Sequence, residues 1–327
     1  MMSGIEKNDG YLGRGLHSKK WDELFKKGGE LFDLLKIVRS DEDLVLEIRN
    51  DYFNIYYKGG NMLKVGPKCD FKFDHNYFKG YKFPEFEADE KEVERKQLKN
   101  KLLRCLKEDG NYGCFVVKMK ELMKDYWKWL EEVKHKSLEE KNTQHELCIR
   151  NTEGSEYTII DLEFQVSTDS DYSYTIQEKP HGRFVAENKK RPRFDIVAVR
   201  NCDHQLCVIE LKKGIKAIYG RSGIGDHADS FEGSIGRNPT SFLQEMVKVV
   251  EDKKRLKLLS EDFYISNSIP EFLYAYVYEE GKDGVVYDKI IQKEKFKQEL
   301  IKNQCTKYKT MFLDLGDFVL SDKSIEI

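Results

Sequence analysis

The sequence lacks the features that mark membrane, signal-directed and disulfide-bonded chains. No stretch reaches the roughly 20 apolar residues that a transmembrane helix requires, and the first residues contain no apolar segment of the signal-peptide kind. The seven cysteines are scattered, and no two have the CxxC spacing of many zinc sites. We therefore expect reduced, partly buried thiols in a soluble cytoplasmic protein that has no membrane partner.

An excess of charge of one sign is also missing. Charged residues make up 35% of the chain, yet the formal net charge is only −2. This balance argues against a polycation that coats nucleic acid, but a local basic groove is still compatible with it, because a field depends on where the charges lie. The hydrophobic fraction of 39% is enough for packed cores, and 327 residues indicate one large or two ordinary domains.

The first ninety residues have the pattern of a small α+β module. "SKKWDELFKKGGELFDLLKIV" carries apolar residues at helical spacing. "LVLEIRNDYFNIYYKGGNMLKV" then predicts three strands joined by Asn-Asp and Gly-Gly turns, which is a β-meander. We predict this module over residues 1–90 and a helical connector over residues 91–135. The module would provide the surface for a protein partner or for a homodimer.

An apolar seam runs along the next helical stretch. Met119, Met123, Tyr126 and Leu130 follow one another in steps of four and three residues. If the helix continues unbroken, the same steps bring Glu140 to the buried face, where a carboxylate needs a partner such as a metal. If the helix instead breaks at "KHKS", Glu140 lies in water. The sequence leaves both alternatives open.

Residues 136–327 have the pattern of one α/β domain. "EYTIIDLEFQV", "RFDIVAV" and "QLCVIELKK" are successive apolar strands, and "NPTSFLQEMVKVVEDKKRLKLL" is a helix with Asn238 at its N-cap. "FLYAYVYEE" and "TMFLDLG" are two further strands. Successive strands favour antiparallel pairing, whereas a strand entered through a helix favours a parallel partner. We therefore predict a mixed β-sheet flanked by helices.

Charged residues interrupt two of these strands. Side chains alternate along a strand, so Glu210 and Lys212 share a face, and Asp195 occupies the equivalent face of the preceding strand. If the two strands pair, Asp195 lies beside Glu210. Adjacent carboxylates repel unless a cation separates them, and Mg²⁺ prefers such oxygen ligands. A lysine beside them can orient water or stabilise charge on a phosphate, which fits metal-assisted hydrolysis of a phosphodiester.

Asp195 followed by Glu210-Leu211-Lys212 resembles the motif of the PD-(D/E)xK nuclease superfamily. The spacing of 210 − 195 = 15 residues suits a β-hairpin, and the predicted elements follow the α-β-β-β-α-β order of that restriction-endonuclease-like fold. Phe194 stands where the name motif has proline. The resemblance covers the C-terminal three-fifths of the chain only.

This resemblance implies a chemistry for the motif. The protein would be a Mg²⁺-dependent nuclease, with Mn²⁺ as a substitute and DNA as the favoured nucleic acid. Asp195, Glu210 and the backbone carbonyl of Leu211 would bind the metal, and Lys212 would assist the attacking water. In this family a glutamate from the preceding helix often joins the site. Glu140 is our candidate for that catalytic position, and Glu146 and Glu163 compete with it.

Basic residues around the motif are candidates for binding phosphates. Arg193 closes the run "NKKRPR", and Lys213, Lys216 and Arg221 follow the Glu210 strand. We include His227 among the candidates for nucleic-acid binding. A solvated charge is the alternative for each basic residue, and a hydrogen-bonded structural role is the alternative for His227.

A protein that keeps the nuclease fold without cutting is the alternative function. It would act as a non-catalytic nucleic-acid-binding or scaffold module. The presence of Asp195, Glu210 and Lys212 together favours catalysis, because an inactive relative would usually have lost one of them.

Overall fold

Two compact units make up the part of the chain that the computed structural model describes, which is residues 13–82, 88–136, 139–166, 192–278, 288–314, 316 and 318–326. The meander unit comprises the described residues of Gly15–His145 and Arg255–Leu258. The mixed-sheet unit comprises those of Met1–Arg14, Glu146–Lys254 and Leu259–Ile327. No helix in these ranges is long and apolar enough to cross a membrane.

The meander unit contains a four-stranded antiparallel sheet and helices. Its strands are β1 (Leu44–Ile48), β2 (Phe53–Tyr57), β3 (Gly60–Val65) and β4 (Phe71–Lys72), in that spatial order. Its helices are α1 (Lys20–Phe25), α2 (Phe32–Ser40), a 3₁₀-helix (His75–Gly80), α3 (Ala88–Lys107), α4 (Tyr112–Lys134) and the first part of α5 (Glu139–Arg150). The predicted β-meander is confirmed.

Two glycines divide the first predicted helix into α1 and α2. Gly28 has φ +82°, which favours glycine. A Cβ on Gly29 would lie 2.3 Å from the carbonyl oxygen of Glu23, so only glycine fits this close approach. Residues 18–38 therefore form two short helices instead of one.

A break in the helix before Glu140 distinguishes between the two alternatives for the apolar seam. Helix α4 ends at Lys134, and His135 caps it in the left-handed conformation with φ +49°. Helix α5 begins at Glu139, and Glu140 is exposed. The unbroken helix with an inward Glu140 is wrong, and the break that leaves Glu140 in water is confirmed.

The mixed-sheet unit contains a six-stranded sheet flanked by helices. The spatial order is β10-β9-β8-β7-β6-β5. The strands are β5 (Tyr157–Gln165), β6 (Arg193–Arg200), β7 (Gln205–Lys213), β8 (Glu271–Val277), β9 (Lys309–Leu313) and β10 (Ile325–Glu326). The helices after α5 are α6 (Ile224–Gly233), α7 (Pro239–Arg255) and α8 (Lys289–Lys302), and short 3₁₀-helices lie at Ile215–Ile218, Gly220–Ser222 and Asp322–Ser324.

The strand directions follow the order of the elements. Strands β5, β6 and β7 pair antiparallel, and β7, β8 and β9 pair parallel. The predicted mixed sheet is confirmed. Strand β8 is reached from β7 through helices, so it can return parallel to β7.

One face of this sheet packs against the helices in a single hydrophobic core. That core contains Val197, Val208 and Tyr274 from the strands, together with Phe231 from α6, Phe242 from α7 and Phe296 from α8. The face of the sheet that carries Val208 is therefore the face that lies beneath the helices. Charged residues at alternate positions after Val208 therefore lie on the face of the sheet that the helices bury.

Candidate functional site

The register of the β6–β7 hairpin brings two carboxylates to the same step of the sheet. Ile196 pairs with Ile209 and Val197 pairs with Val208. One further step in the same register places Asp195 opposite Glu210. Since Val197 and Val208 belong to the helix-covered core, alternation puts both carboxylates and Lys212 on that face.

Asp195 lies next to the last residue pair of β6 and β7, Ile196 with Ile209. Its carboxylate is nearly buried, and Oδ2 accepts a hydrogen bond of 2.9 Å from the backbone N–H of Leu211. Within a strand, the N–H and C=O of one residue point to the same side. The carbonyl oxygen of Leu211 is therefore directed to the side of β7 on which Asp195 lies.

Glu210 is the centre of a buried ion cluster. Its Oε1 accepts a hydrogen bond of 2.8 Å from Lys212 Nζ and lies 3.0 Å from His227 Nδ1. Glu210 and Lys212 are only 2% and 4% exposed. Such burial of opposite charges is tolerated because they pair closely and hydrogen-bond to each other.

Lys212 is fixed by a second contact. Nζ donates a hydrogen bond of 2.9 Å to the backbone carbonyl of Ser222, in the loop that precedes α6. An ammonium group has three donors, and these two contacts use two of them. The third proton remains for water or for an anion that reaches the cluster.

His227 closes the cluster from α6. Burial, followed by the neighbouring charge of Lys212, lowers the pKa of His227 to about 4, although Asp195 and Asp226 act in the opposite direction. The imidazole is therefore neutral at neutral pH.

The low pKa of His227 predicts a pH-dependent stability. The unfolded chain takes up the proton near the ordinary pKa of 6.5, whereas the folded protein resists it down to about 4. Stability is therefore full above pH 6.5 and falls as the pH decreases through this window. We expect this histidine to contribute a loss of about 2 kcal/mol between pH 7 and pH 5.

Urea unfolding in EDTA at the two pH values measures this loss. His227→Gln keeps a polar side chain at this position but does not titrate, so its stability should fall by about 2 kcal/mol less than that of the wild type. Equal losses in both proteins would show that His227 does not titrate as proposed.

Glu163 lies at the same step of the sheet as Asp195. The pairs Leu162–Ile196 and Phe164–Phe194 flank this step on β5 and β6. Glu163 has φ +49°, an uncommon conformation for a residue other than glycine in a strand. Its half-buried carboxylate is 3.5 Å from Arg193 Nη1. The acids Glu163, Asp195 and Glu210 thus follow one another across three adjacent strands.

The other acidic candidates lie elsewhere. Glu140 is exposed and belongs to the meander unit, whereas Asp195 and Glu210 belong to the mixed-sheet unit. Glu146 pairs with Arg150 at 3.3 Å along α5. No described contact joins Glu140 or Glu146 to Glu210.

The basic candidates are placed unevenly. Arg193 is exposed and contacts Glu163, Lys213 is half-buried at the end of β7, and Lys216 is exposed in the following loop. The side chain of Arg221 and residues 188–191 of the basic run lie outside what the structure describes.

Two supporting groups escaped the sequence analysis. Tyr274 stands beside Glu210 in the parallel register of β7 and β8, and its hydroxyl donates a hydrogen bond of 2.7 Å to the carbonyl of Ile224. Burial raises the pKa of Tyr274, so the hydroxyl remains a donor that fastens the start of α6. The carbonyl of Ser222 is the other group. Tyr274 could have been found from the sequence, because it alternates along β8 with residues of the same core. The backbone carbonyl of Ser222 has no sequence signal.

The donor set at the cluster fits a hard divalent cation. Asp195 and Glu210 supply carboxylate oxygens, the Leu211 carbonyl is directed to the same side, and Glu210 Oε1 already binds the ammonium cation of Lys212. Among the described residues no group of three or more His, Cys, Asp or Glu side chains is arranged to hold a metal. An ion here would therefore depend on two carboxylates, a carbonyl and water, a set that Mg²⁺ accepts.

No protein-family model matches the chain, and no curated protein or solved structure does so either. The function is therefore inferred from the chemistry of Asp195, Glu210 and Lys212. Two carboxylates and an ammonium group near the carboxyl end of one strand can bind a cation and act on a phosphate.

Proposed function

We propose that the protein is a Mg²⁺-dependent nuclease of the PD-(D/E)xK type that hydrolyses phosphodiester bonds, with DNA as the favoured substrate. The observation that carries this proposal is the placement of Asp195, Glu210 and Lys212 on one face of β6 and β7. The element order α5-β5-β6-β7-α6-α7-β8 supports it, since it agrees with the α-β-β-β-α-β order of that superfamily. The seven free cysteines support the cytoplasm as its location.

The carboxylates and the Leu211 carbonyl would hold the cation. When bound, Mg²⁺ or Mn²⁺ would supply positive charge that polarises the phosphate and makes water more acidic. Asp195 is kept in place by its hydrogen bond from the N–H of Leu211. Of the glutamates considered for an additional acid, Glu163 is favoured because it shares the step of Asp195 in the sheet.

Lys212 would act on the reacting groups. Its contact with Ser222 holds Nζ at the end of β7, while its third proton can be donated to a phosphate oxygen or to the attacking water. Its present partner, Glu210, is also a proposed metal ligand. Lys212 would therefore exchange this contact for one with the substrate when the cation is bound.

A non-catalytic nucleic-acid-binding or scaffold module is the second candidate. The near-complete burial of Glu210 and Lys212, together with the contact between Glu210 and His227, favours it. A closed ion cluster can stabilise a fold without any reaction.

Incubation with labelled nucleic acid tests the proposal. We expect the purified protein to cut DNA in Mg²⁺ or Mn²⁺ and to leave it intact in EDTA. Single-stranded and duplex DNA and RNA, compared in parallel, identify the substrate. Lys212→Met, purified in the same way, controls for a contaminating nuclease. Binding without cutting in every metal would favour the scaffold function instead.

A further inference from the structure

The loop between β7 and α6 is part of the candidate site. It runs from Gly214 to Gly223 through two short 3₁₀-helices. Ile218 fixes the loop to the hydrophobic core, where it is fully buried. The carbonyl of Ser222 holds Lys212 Nζ at 2.9 Å. The loop is therefore held in place on both sides of Tyr219.

Tyr219 presents a partly exposed aromatic ring. It is 43% exposed, and its side chain makes no hydrogen bond or ring contact with any described residue. Tyr264 is the other strongly exposed aromatic residue in the described ranges, and its ring stacks on His204 with centroids 3.7 Å apart. Tyr219 thus differs from Tyr264 in having no aromatic partner among the described residues.

The charge around Tyr219 suits an anionic partner. The segment from Lys213 to Gly223 contains Lys213, Lys216 and Arg221 and no acidic residue. Lys216 is exposed three residues before the tyrosine. Basic residues and an exposed aromatic ring in one short loop can together hold a nucleotide, because positive charge attracts the phosphate and the ring stacks on the base.

The distance along the loop is compatible with one bound strand. Gly220 and Arg221 lie between Tyr219 and Ser222, and three steps along an extended chain span at most about 11 Å. Stacked nucleotides in one strand are about 3.4 Å apart. A base that stacks on Tyr219 would therefore belong to a nucleotide within about three positions of the phosphate at Lys212.

We propose that Tyr219 stacks on an unpaired base of the DNA strand whose phosphate lies at Lys212. The position of that phosphate rests on the nuclease function proposed above. Stacking on a side chain requires a base face that no neighbour covers, so the substrate carries single-stranded DNA at this point. The enzyme would prefer single strands, or duplexes with single-stranded ends, to closed duplexes.

Binding measured without cleavage tests this inference. Fluorescence anisotropy in EDTA compares a labelled single strand with the duplex of the same sequence. We expect Tyr219→Ala to weaken single-strand binding by about 5- to 100-fold and to change duplex binding by less than about twofold. Tyr219→Phe, which keeps the ring, should bind like the wild type. Tyr264→Ala is the matched control and should also bind like the wild type.

The outcomes separate this inference from the nuclease function. If Tyr219→Ala binds the single strand as the wild type does, or if it loses duplex and single-strand binding equally, the stacking role is wrong even if the wild type cuts DNA. If Tyr219→Ala alone loses single-strand binding while no metal supports cutting, the stacking role stands and the nuclease function fails.

Discussion

Lys212→Met is expected to slow DNA cleavage by about 100- to 10,000-fold, the range for loss of a group that donates or accepts a proton in the reaction. Methionine keeps most of the side-chain volume but removes the ammonium group from Glu210 and Ser222. Initial rates of cleavage at saturating Mg²⁺ measure the loss. Lys289→Met, which removes an exposed ammonium group paired with Asp314, is the matched control and should change the rate far less.

The same variant should respond more strongly to metal. Without Lys212, the buried carboxylate of Glu210 loses the cation 2.8 Å from its Oε1, so the metal-free protein is destabilised. A divalent cation would then bind without competition from the ammonium group. The rise in Tm on adding Mg²⁺ should be larger for Lys212→Met than for the wild type. Cleavage at the wild-type rate, or no difference in the Mg²⁺ response, would contradict the assigned role.

Arg14→Met is expected to destabilise the mixed-sheet unit by about 3–5 kcal/mol. Arg14 is nearly buried, its Nη1 is 2.9 Å from Oδ2 of the fully buried Asp161, and its guanidinium lies 4.7 Å from the ring centroid of Phe164. Its backbone N–H also donates to Glu245 at 2.7 Å, a contact that the substitution keeps. The loss arises because the carboxylate of Asp161 remains buried when this cation is removed.

Urea unfolding of two companion variants shows whether burial is the cause. Asp161→Asn in the Arg14→Met background should recover part of the stability, since it removes the buried charge. Lys289→Met breaks an ion pair with Asp314 at a similar distance, 2.6 Å, but both side chains are largely exposed. It should cost less than about 1 kcal/mol. Equal losses for Arg14→Met and Lys289→Met would refute the argument.

The sequence predicted the elements of the candidate site because they depend on short-range rules. Alternation along β7 is enough to place Glu210 and Lys212 on one face with Val208. The short link between β6 and β7 is enough to predict an antiparallel hairpin. Strand β8 as a parallel partner of β7 followed from the helix between them.

Other parts of the fold depend on signals that the sequence does not carry. His135 ends α4 in the left-handed conformation. A glycine at this position would have predicted the helix end, whereas histidine does not. Helix α6 is short and contains Gly225 and Gly233, which weaken a helical pattern. The contact of Arg14 with Asp161 joins residues far apart in the chain, and no local pattern indicates such a pair.

The turn between β6 and β7 gives the site an unusual sensitivity to chain length. Arg200 pairs with Gln205, so the four residues from Asn201 to His204 determine which residue of β7 meets Asp195. Many substitutions in this turn would leave the two carboxylates opposite each other. The loss or gain of a single residue would shift the ladder by one step and turn a strand's charged residues to its other face. Homologues of this protein should therefore vary in the composition of the turn and conserve its length.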